Sequence, residues 1–276
     1  MQAFSSLFGV FVMPETAADN GSERILFPVA KRRGTCYNDA ATSFSEEAQM
    51  DPIRIVETKE AVLADNEAAA ARNREKMRGQ GAVLVNLMGS PGAGKTSTLL
   101  QLIRRLKDRF RIGVMEADVD SDVDARTVGE TGVRVIQLHT AGLCHMDADM
   151  TGRGLDAMGT EGLDLIFLEN IGNLVCPAEF EIGADLRMMI LSVPEGDDKP
   201  LKYPLMFKIS DVMLVNKIDT APIFDFDLRA ASERARNLNP AIRIFPVSAE
   251  SGEGFDALAA FLADFVRERR ETREDH

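Results

Sequence analysis

The architecture of this chain follows from one segment, Val83-Leu-Val-Asn-Leu-Met-Gly-Ser-Pro-Gly-Ala-Gly-Lys-Thr96. Its apolar start, 83–88, predicts a buried strand, and residues 97–109 show the apolar spacing of a helix. Between them, a glycine is followed by four residues and then by Gly-Lys-Thr, which is the pattern of a phosphate-binding loop in its strand–loop–helix context. The alternative is a glycine-rich turn that binds nothing.

Each residue type in this loop suits a phosphate ligand. Gly92 and Gly94 let the backbone curl so that successive amides point at phosphate oxygens, and the helix N-terminus adds partial positive charge. Lys95 is expected to reach the outer phosphates, and the Thr96 hydroxyl is expected to ligate Mg²⁺. The candidate nucleotide-binding residues here are Gly89, Ser90, Pro91, Gly92, Ala93, Gly94, Lys95, Thr96 and Ser97.

Composition restricts the class of protein. The 276 residues suit one α/β domain with a terminal extension, or two small domains. A net charge of −12 opposes nucleic-acid binding, which needs clustered basic residues. No apolar run has the length of a membrane span, and the N-terminus lacks the pattern of a signal peptide. With only three cysteines, the chain is predicted to be cytoplasmic, with free thiols.

Four regions differ in pattern. Residues 1–49 lack periodicity and are interpreted as a disordered or loosely attached extension that is dispensable for GTP hydrolysis and nickel binding. The organised chain begins at Met50, which is therefore a candidate start. Residues 50–81 are predicted to form a short strand at 51–55 and a solvent-exposed helix at 58–78, for which packing on a partner or on the main domain is the alternative. Residues 82–270 form the main domain, and 271–276 a tail.

The main domain alternates apolar strands with helices. This pattern predicts an α/β fold whose mostly parallel sheet is covered by helices on both faces, with sites at the carboxyl ends of the strands. After 83–88, strands are predicted at 112–116, 133–138, 165–169, 188–193, 212–215 and 242–245, and helices at 125–130, 147–158, 228–238 and 255–270.

Acidic residues follow two of these strands. In Asp118-Val-Asp-Ser-Asp-Val-Asp124, Asp118 is placed to meet Mg²⁺ or the attacking water, whereas Asp120, Asp122 and Asp124 are equally consistent with an acidic helix N-terminus. In Glu169-Asn-Ile-Gly172, Glu169 is placed to meet Mg²⁺ through water, and the Gly172 amide to contact the terminal phosphate.

The segment Asn216-Lys-Ile-Asp219 predicts selection of guanine. The Asp219 carboxylate can accept from both N–H groups on one edge of guanine, and adenine offers no such pair. Lys217 would lie along the base plane and Asn216 would brace the loop. A backbone amide of Ser248-Ala249 would meet the guanine carbonyl oxygen. The alternative is an ordinary Asn-Lys turn.

Cys144-His145 and Cys176 are candidate metal ligands. Two thiolates and an imidazole suit Ni²⁺, Zn²⁺ or Cu, not Mg²⁺, although the spacing is not that of a structural zinc site. Each follows a strand, so they can meet at one end of the sheet. The alternative is a core thiol at Cys176 and a surface pair at Cys144-His145.

Together these motifs resemble the hydrogenase-maturation nickel-insertion GTPases, the HypB family, from about residue 53 to 265. The resemblance separates the chain from the urease nickel GTPases, whose metal motif is Cys-Pro-His. The segments that carry it are the phosphate loop, Cys144-His-Met-Asp-Ala148, Leu168-Glu-Asn-Ile-Gly-Asn-Leu-Val-Cys-Pro177, Pro194-Glu-Gly-Asp-Asp-Lys-Pro-Leu-Lys-Tyr-Pro204, Asn216-Lys-Ile-Asp219 and Ser248-Ala-Glu-Ser-Gly-Glu-Gly254.

The resemblance implies a P-loop GTPase that converts GTP to GDP and phosphate slowly, with Mg²⁺, and helps to load nickel into a [NiFe]-hydrogenase precursor. Its catalytic residues would be Lys95, Thr96, Asp118 and Glu169, with Thr96 and Asp118 holding Mg²⁺. Cys144, His145 and Cys176 would bind Ni²⁺ or Zn²⁺ at the dimer interface of the GTPase domain, 82–270. The implied partners are a second copy of the chain, the hydrogenase large-subunit precursor and a companion nickel-maturation protein.

One departure from the family concerns the N-terminal region. Cys36 stands alone and no histidine precedes His139, so the high-affinity N-terminal nickel site of many members is not expected. Two other functions remain open: a GTPase chaperone for another metalloenzyme with incidental thiols, and a dimeric metal-storage protein with a relic nucleotide site.

Overall fold

The computed structural model describes residues 58–118 and 123–274. The extension at 1–49, the strand at 51–55, and Asp120 and Asp122 lie outside the described residues. The division into domains at 49, 81 and 270 therefore stays a prediction. Within the described ranges, no helix is long and apolar enough to cross a membrane.

The described chain alternates helices and strands as expected. The strands are β1 Val83–Gly89, β2 Ile112–Asp118, β3 Arg134–His139, β4 Leu165–Glu169, β5 Leu186–Ser192, β6 Val212–Asn216 and β7 Arg243–Pro246. The helices are α1 Thr58–Gln80, α2 Lys95–Leu106, α3 Val123–Gly129, α4 Ala148–Met158, α5 Cys176–Glu179, α6 Lys199–Lys202, α7 Pro204–Ile209, α8 Leu228–Leu238 and α9 Phe255–Glu274, with 3₁₀ turns at Val193–Glu195 and Ile218–Thr220.

The seven strands form one sheet in the order β3-β2-β4-β1-β5-β6-β7, and every pairing is parallel. Strand β1, which leads into the phosphate loop, lies at the centre between β4 and β5. A parallel sheet must be covered on both faces because each strand is buried on both sides. The predicted fold class is confirmed.

Side chains of β1 alternate between the two layers. Val85 and Leu87 belong to the core that includes Leu99 of α2 and Leu258 of α9. On the opposite face, Leu84 belongs to a core built with α1 and α4. The strand that precedes the phosphate loop is therefore packed against a hydrophobic core on each face of the sheet.

The edges of the sheet differ from the prediction of continuously buried strands. Strand β3 is exposed at both ends and half-buried between them, and β7 follows the same pattern. Among the strands of the described ranges, each of these two has one neighbour instead of two. The short helices α5, α6 and α7 were not predicted, because each is shorter than two helical turns; each has proline in its first turn.

Helix α1 is more buried than its sequence suggests. The prediction of a solvent-exposed helix is wrong for one face, where Ala69, Ala70 and Met77 are buried, and the expected alternative of packing on the main domain describes that face. Asn73 Nδ2 on this face donates to Ala148 O (2.7 Å) and to Ile182 O (3.0 Å). Small residues and an asparagine attach α1 to the main domain, so no broad apolar stripe marks the contact.

Candidate functional site

The phosphate loop has the backbone conformation that its glycines permit. Gly92 and Gly94 have φ angles of 73° and 95°, in the left-handed region that other residues rarely adopt. A Cβ at Gly94 would clash with the side-chain amide of Asn216. Lys95 is the first residue of α2 and is almost fully buried, with Nζ donating to Ser90 O (3.3 Å). The phosphate loop is therefore in contact with its own backbone through Lys95 and with Asn216 at the end of β6.

A cavity of about 570 Å³ opens beside this loop. The lining includes residues that the sequence did not predict, among them Glu116, Gln137, Asn170 and Ile171. The predicted residues that line it are Pro91, Gly92, Gly94, Lys95, Thr96, Ser97, Asp118, Asp124, Glu169, Gly172 and Lys217. Asp124 also lies in the first turn of α3. Its position therefore fits both a residue of the nucleotide site and an acidic residue at a helix N-terminus.

Two buried glutamates face each other at the floor of the cavity. Glu116 and Glu169 are opposite one another in the β2–β4 register, and both are at least 95% buried. Thr96 Oγ1 donates to Glu169 Oε1 (3.0 Å). Among the described residues, Glu116 Oε1 and Glu169 Oε2 have no hydrogen-bond partner. Buried oxygens of this kind are costly unless a ligand, ion or water satisfies them.

The two carboxyl groups also perturb each other. Burial, and then repulsion from Glu169, raises the pKa of Glu116 to about 10. Burial raises the pKa of Glu169 to about 7, although Lys95 and the hydrogen bonds from Glu116 and Thr96 favour its charged form. Like charges this close cannot both ionise at neutral pH without a cation.

This environment fits Mg²⁺. The ion prefers oxygen ligands, keeps several waters and takes one or two carboxylates with phosphate oxygens. Thr96, Asp118 and Glu169 all line the cavity, and the unsatisfied oxygens of Glu116 and Glu169 can accept from metal-bound water. The predicted magnesium ligands Thr96 and Asp118 both line this cavity, and their binding of the ion stays a prediction.

The predicted guanine-binding residues form a second loop cluster beside the first. Asn216 Nδ2 donates to Ala93 O (2.9 Å), and Asn216 Oδ1 accepts from Ala249 N (3.0 Å). Lys217, with φ 63°, donates from Nζ to Gly92 O (2.7 Å). Asn216 therefore joins the phosphate loop to the loop after β7.

Asp219 and Ser248 are in direct contact, since Ser248 Oγ donates to Asp219 Oδ1. The Ser248 amide donates to Glu253 O (3.0 Å), and the Ala249 amide is used by Asn216. Both amides proposed for the guanine carbonyl thus donate within the protein here, and Asp219, Ser248 and Ala249 are not among the residues lining the cavity. Their contacts with the base stay predictions.

Cys144, His145 and Cys176 come together although 32 positions separate the two cysteines. One ligand atom from each lies within 4.8 Å of the others. The two Sγ atoms are 3.1 Å apart, and Cys144 Sγ lies 3.9 Å from His145 Nδ1. The sequence predicted that these residues could meet, and the structure places them at one point.

Cys144 is exposed to solvent, whereas His145 and Cys176 are partly buried. His145 stacks on Phe180, with ring centroids 3.9 Å apart, and burial lowers the pKa of His145, which favours the neutral imidazole that binds metals. The hydrogen bond with Cys144, and then burial, raises the pKa of the Cys176 thiol. A soft cation must therefore displace the proton of the Cys176 thiol as it binds.

Segment 170–176 connects the two sites. Asn170, Ile171 and Gly172 line the nucleotide cavity, and Cys176 ends the segment at the metal ligands. Asn173 N donates to Gly89 O (3.0 Å) at the end of β1. Asn170 and Asn173 lie within a motif of the sequence, but the sequence predicted no function for either residue. Their contacts are with positions far away in the sequence, which a local pattern does not show.

Comparisons with known proteins identify the family of this chain. The family model "CobW/HypB/UreG, nucleotide-binding domain" matches residues 83–246. The chain is 43% identical to hydrogenase maturation factor HypB of Rhizobium leguminosarum bv. viciae over 77% of this chain and 71% of that protein. It is 41% identical to HypB of Escherichia coli (strain K12) over 75% of this chain and 71% of that protein.

Solved structures give the same result. HypB from Helicobacter pylori, crystallised in complex with nickel, aligns with a TM-score of 0.70 and 36% identity over 75% of this chain and 97% of that chain. HypB from Archaeoglobus fulgidus aligns with a TM-score of 0.70 and 35% identity over 74% of this chain and 100% of that one. The chain has the P-loop GTPase fold, and it belongs to the HypB family of hydrogenase maturation factors.

Proposed function

We propose that this chain is a GTP-hydrolysing metallochaperone that helps to insert nickel into [NiFe]-hydrogenase precursors. The observation that carries the proposal is the convergence of Cys144, His145 and Cys176 on loops joined to the nucleotide cavity. Membership of the HypB family, with one relative crystallised in complex with nickel, supports nickel as the cargo.

The phosphate loop would hold GTP, and the next cluster would select its base. Backbone amides of Gly92 and Gly94 and the Lys95 ammonium would contact phosphate oxygens. The Asp219 carboxylate would accept from guanine, and adenine would leave its lone pairs unpaired. Asn216 supports both functions because its hydrogen bonds hold the two loops at a fixed separation.

Hydrolysis would proceed by in-line attack of water on the terminal phosphate, giving GDP and phosphate. Lys95 would offset negative charge that develops on the transferred group, and the Gly172 amide would contact its oxygens. Thr96 and Asp118 would hold Mg²⁺, with Glu169 orienting a metal-bound water. When bound, the ion supplies charge neutralisation at the phosphates.

Slow turnover is part of the proposal. No arginine is among the described residues that line the cavity. An arginine supplied to the transition state accounts for much of the rate of fast GTPases. A slow enzyme suits a switch whose nucleotide state controls another site.

The metal site would be completed in a homodimer. Three side chains from one copy leave a tetrahedral ion with an open position, and a second copy can supply further ligands. Leu143 and Val175, beside the two cysteines, are apolar and about half exposed (48% and 50%), as a partner-covered surface would be. Nickel is favoured and Zn²⁺ is the alternative ion.

The proposed partners follow from the family. They are the hydrogenase large-subunit precursor, which receives nickel, and a companion nickel-maturation protein. The cytoplasmic location predicted from the sequence suits this exchange. Neither nucleic acid nor a membrane is part of the proposal.

The test is sedimentation velocity and nickel titration of the parent, Cys144→Ala and Cys176→Ala, with GTPase rates measured in parallel. Nickel should bind to the parent and promote dimers, whereas each variant should lose most nickel affinity. Cys36→Ala is the matched control and should behave like the parent. If both variants bind nickel and dimerise like the parent, the metal assignment is wrong. Absent GTP hydrolysis by the parent would contradict the GTPase assignment.

A further inference from the structure

Segment 170–176 is packed directly on the phosphate loop. Asn173 forms an isolated antiparallel bridge with Gly89, the first residue of that loop, with Asn173 N donating to Gly89 O (3.0 Å). One position earlier, a Cβ on Gly172 would lie only 2.9 Å from atoms of Pro91. Because the two segments are in such close contact, we expect a displacement of the phosphate loop to move this segment as well.

The Asn173 side chain contacts the metal side of the same segment. Its Nδ2 donates to the backbone oxygen of Cys144 (3.2 Å), and its Oδ1 accepts from Val175 N (2.9 Å). The first contact holds the loop that carries Cys144 and His145. The second shapes the turn that places Cys176. One residue therefore contacts the nucleotide loop through its backbone and both metal-bearing loops through its amide.

We propose that Asn173 is a positioning residue that couples the nucleotide site to the metal site. The inference rests on the proposed function, because it requires both ligands. Asn173 acts through its neighbours: a displacement of Gly89 passes through one backbone hydrogen bond to Asn173, and through its side chain to Cys144 and Val175. The separation of the two thiols then depends on the nucleotide.

Coupling between the two ligands is measured as the ratio of nickel affinities with and without nucleotide. The ratio of nucleotide affinities with and without nickel must have the same value. The experiment uses the full chain, Ni²⁺ and a non-hydrolysable GTP analogue with Mg²⁺, with both ratios determined by calorimetry. For the parent we expect a ratio that differs from unity by about 5-fold or more.

The diagnostic variant is Asn173→Ala. It deletes the side-chain hydrogen bonds with Cys144, Val175 and the Cys176 thiol and keeps the backbone bond to Gly89, so nucleotide affinity alone should remain within about 2-fold of the parent. The nickel affinity ratio should fall to within about 2-fold of unity. Asn173→Ser retains an oxygen for the Val175 amide but cannot reach Cys144 O, so it should lose most of the coupling as well.

The chain offers a matched control in Asn239. Its Nδ2 donates to Ser210 O (2.8 Å) and its Oδ1 accepts from Ala241 N (3.0 Å), which is the same pair of contacts at another turn. Asn239→Ala should lower stability as Asn173→Ala does while keeping the parent's coupling. Urea unfolding of each variant measures the structural effect separately.

The outcomes distinguish the two proposals. A parent that binds both ligands with coupling, and an Asn173→Ala variant that couples equally, overturn the role of Asn173 and leave the metallochaperone intact. A parent that binds both ligands without any coupling also overturns it. A parent that binds no nickel contradicts the proposed function itself.

Discussion

Replacing Asn216 tests whether its hydrogen bonds stabilise the two loops of the nucleotide site. The Asn216 side chain is 99% buried and bridges two loops that are distant in sequence, donating to Ala93 O and accepting from Ala249 N. Asn216→Ala removes both bonds at once. It leaves the buried Ala93 carbonyl and the half-buried Ala249 amide without these partners.

The size of the effect follows from these two groups. A buried donor or acceptor that loses its partner costs about 1–3 kcal/mol. The Ala93 carbonyl is fully buried and should show the upper part of this range, whereas water can reach the Ala249 amide and reduce its cost. We expect the free energy of unfolding to fall by about 2–4 kcal/mol, and Tm by about 4–16 °C for a domain of this size.

Urea unfolding of the nucleotide-free protein, followed by circular dichroism, measures this loss, and calorimetry with GDP measures the effect on binding. GDP affinity should fall because the phosphate loop and the base-binding loop lose their fixed separation. Asn239→Ala, which loses the same kinds of bonds at a half-exposed turn, should change stability less and GDP affinity not at all. A stability loss below about 0.5 kcal/mol would refute the reasoning about buried partners. Unchanged GDP affinity would refute the bracing role.

Three further predictions concern the cavity and the proposed guanine-binding loop beside it. Asp219→Asn should weaken GDP binding about 100-fold or more and favour xanthine nucleotides, since the amide donates where the carboxylate accepted; equal competition by GDP and ADP against the parent would contradict it. Burial raises the pKa of Glu116 from 4.5 to about 10, so its contribution to stability is present below pH 4.5 and is lost as pH rises towards 10. Glu116→Gln cannot ionise and should therefore gain stability over the parent between pH 5 and pH 9 in urea unfolding; a constant difference would show that Glu116 is not the titrating group. Gly172→Ala places a Cβ 2.9 Å from Pro91 and should cost about 1–3 kcal/mol and weaken GDP binding, whereas Gly129→Ala, with no atom within 4 Å of the new Cβ, should be neutral or stabilising.

The sequence predicts those parts of the molecule whose signal is local. The strand, loop and helix from Val83 onwards carry their own pattern, and apolar strands that alternate with helices are typical of a parallel sheet covered on both faces. Convergence of Cys144, His145 and Cys176 was predictable because each follows a strand, and such positions meet at one edge of the sheet.

Features that depend on register were not predictable. Glu116 looked like one residue of a buried strand, and only the β2–β4 register places it opposite Glu169. The role of Asn173 depends on contacts with Gly89 and Cys144, which lie far away in the sequence. Helix α1 is attached through alanines and an asparagine, so hydrophobic periodicity gives no signal of its buried face.

The strand order has a consequence for synthesis of the chain. Strand β1 emerges from the ribosome early, yet its neighbours β4 and β5 begin at Leu165 and Leu186. Helix α2 packs on α9, which begins at Phe255. At translation rates of about 5–20 residues per second, synthesis of Phe255 follows that of Lys95 by about 8–32 s. Nascent chains that end before α9 should therefore expose Leu99 and Leu102, and these chains are where chaperone binding and aggregation during expression should concentrate.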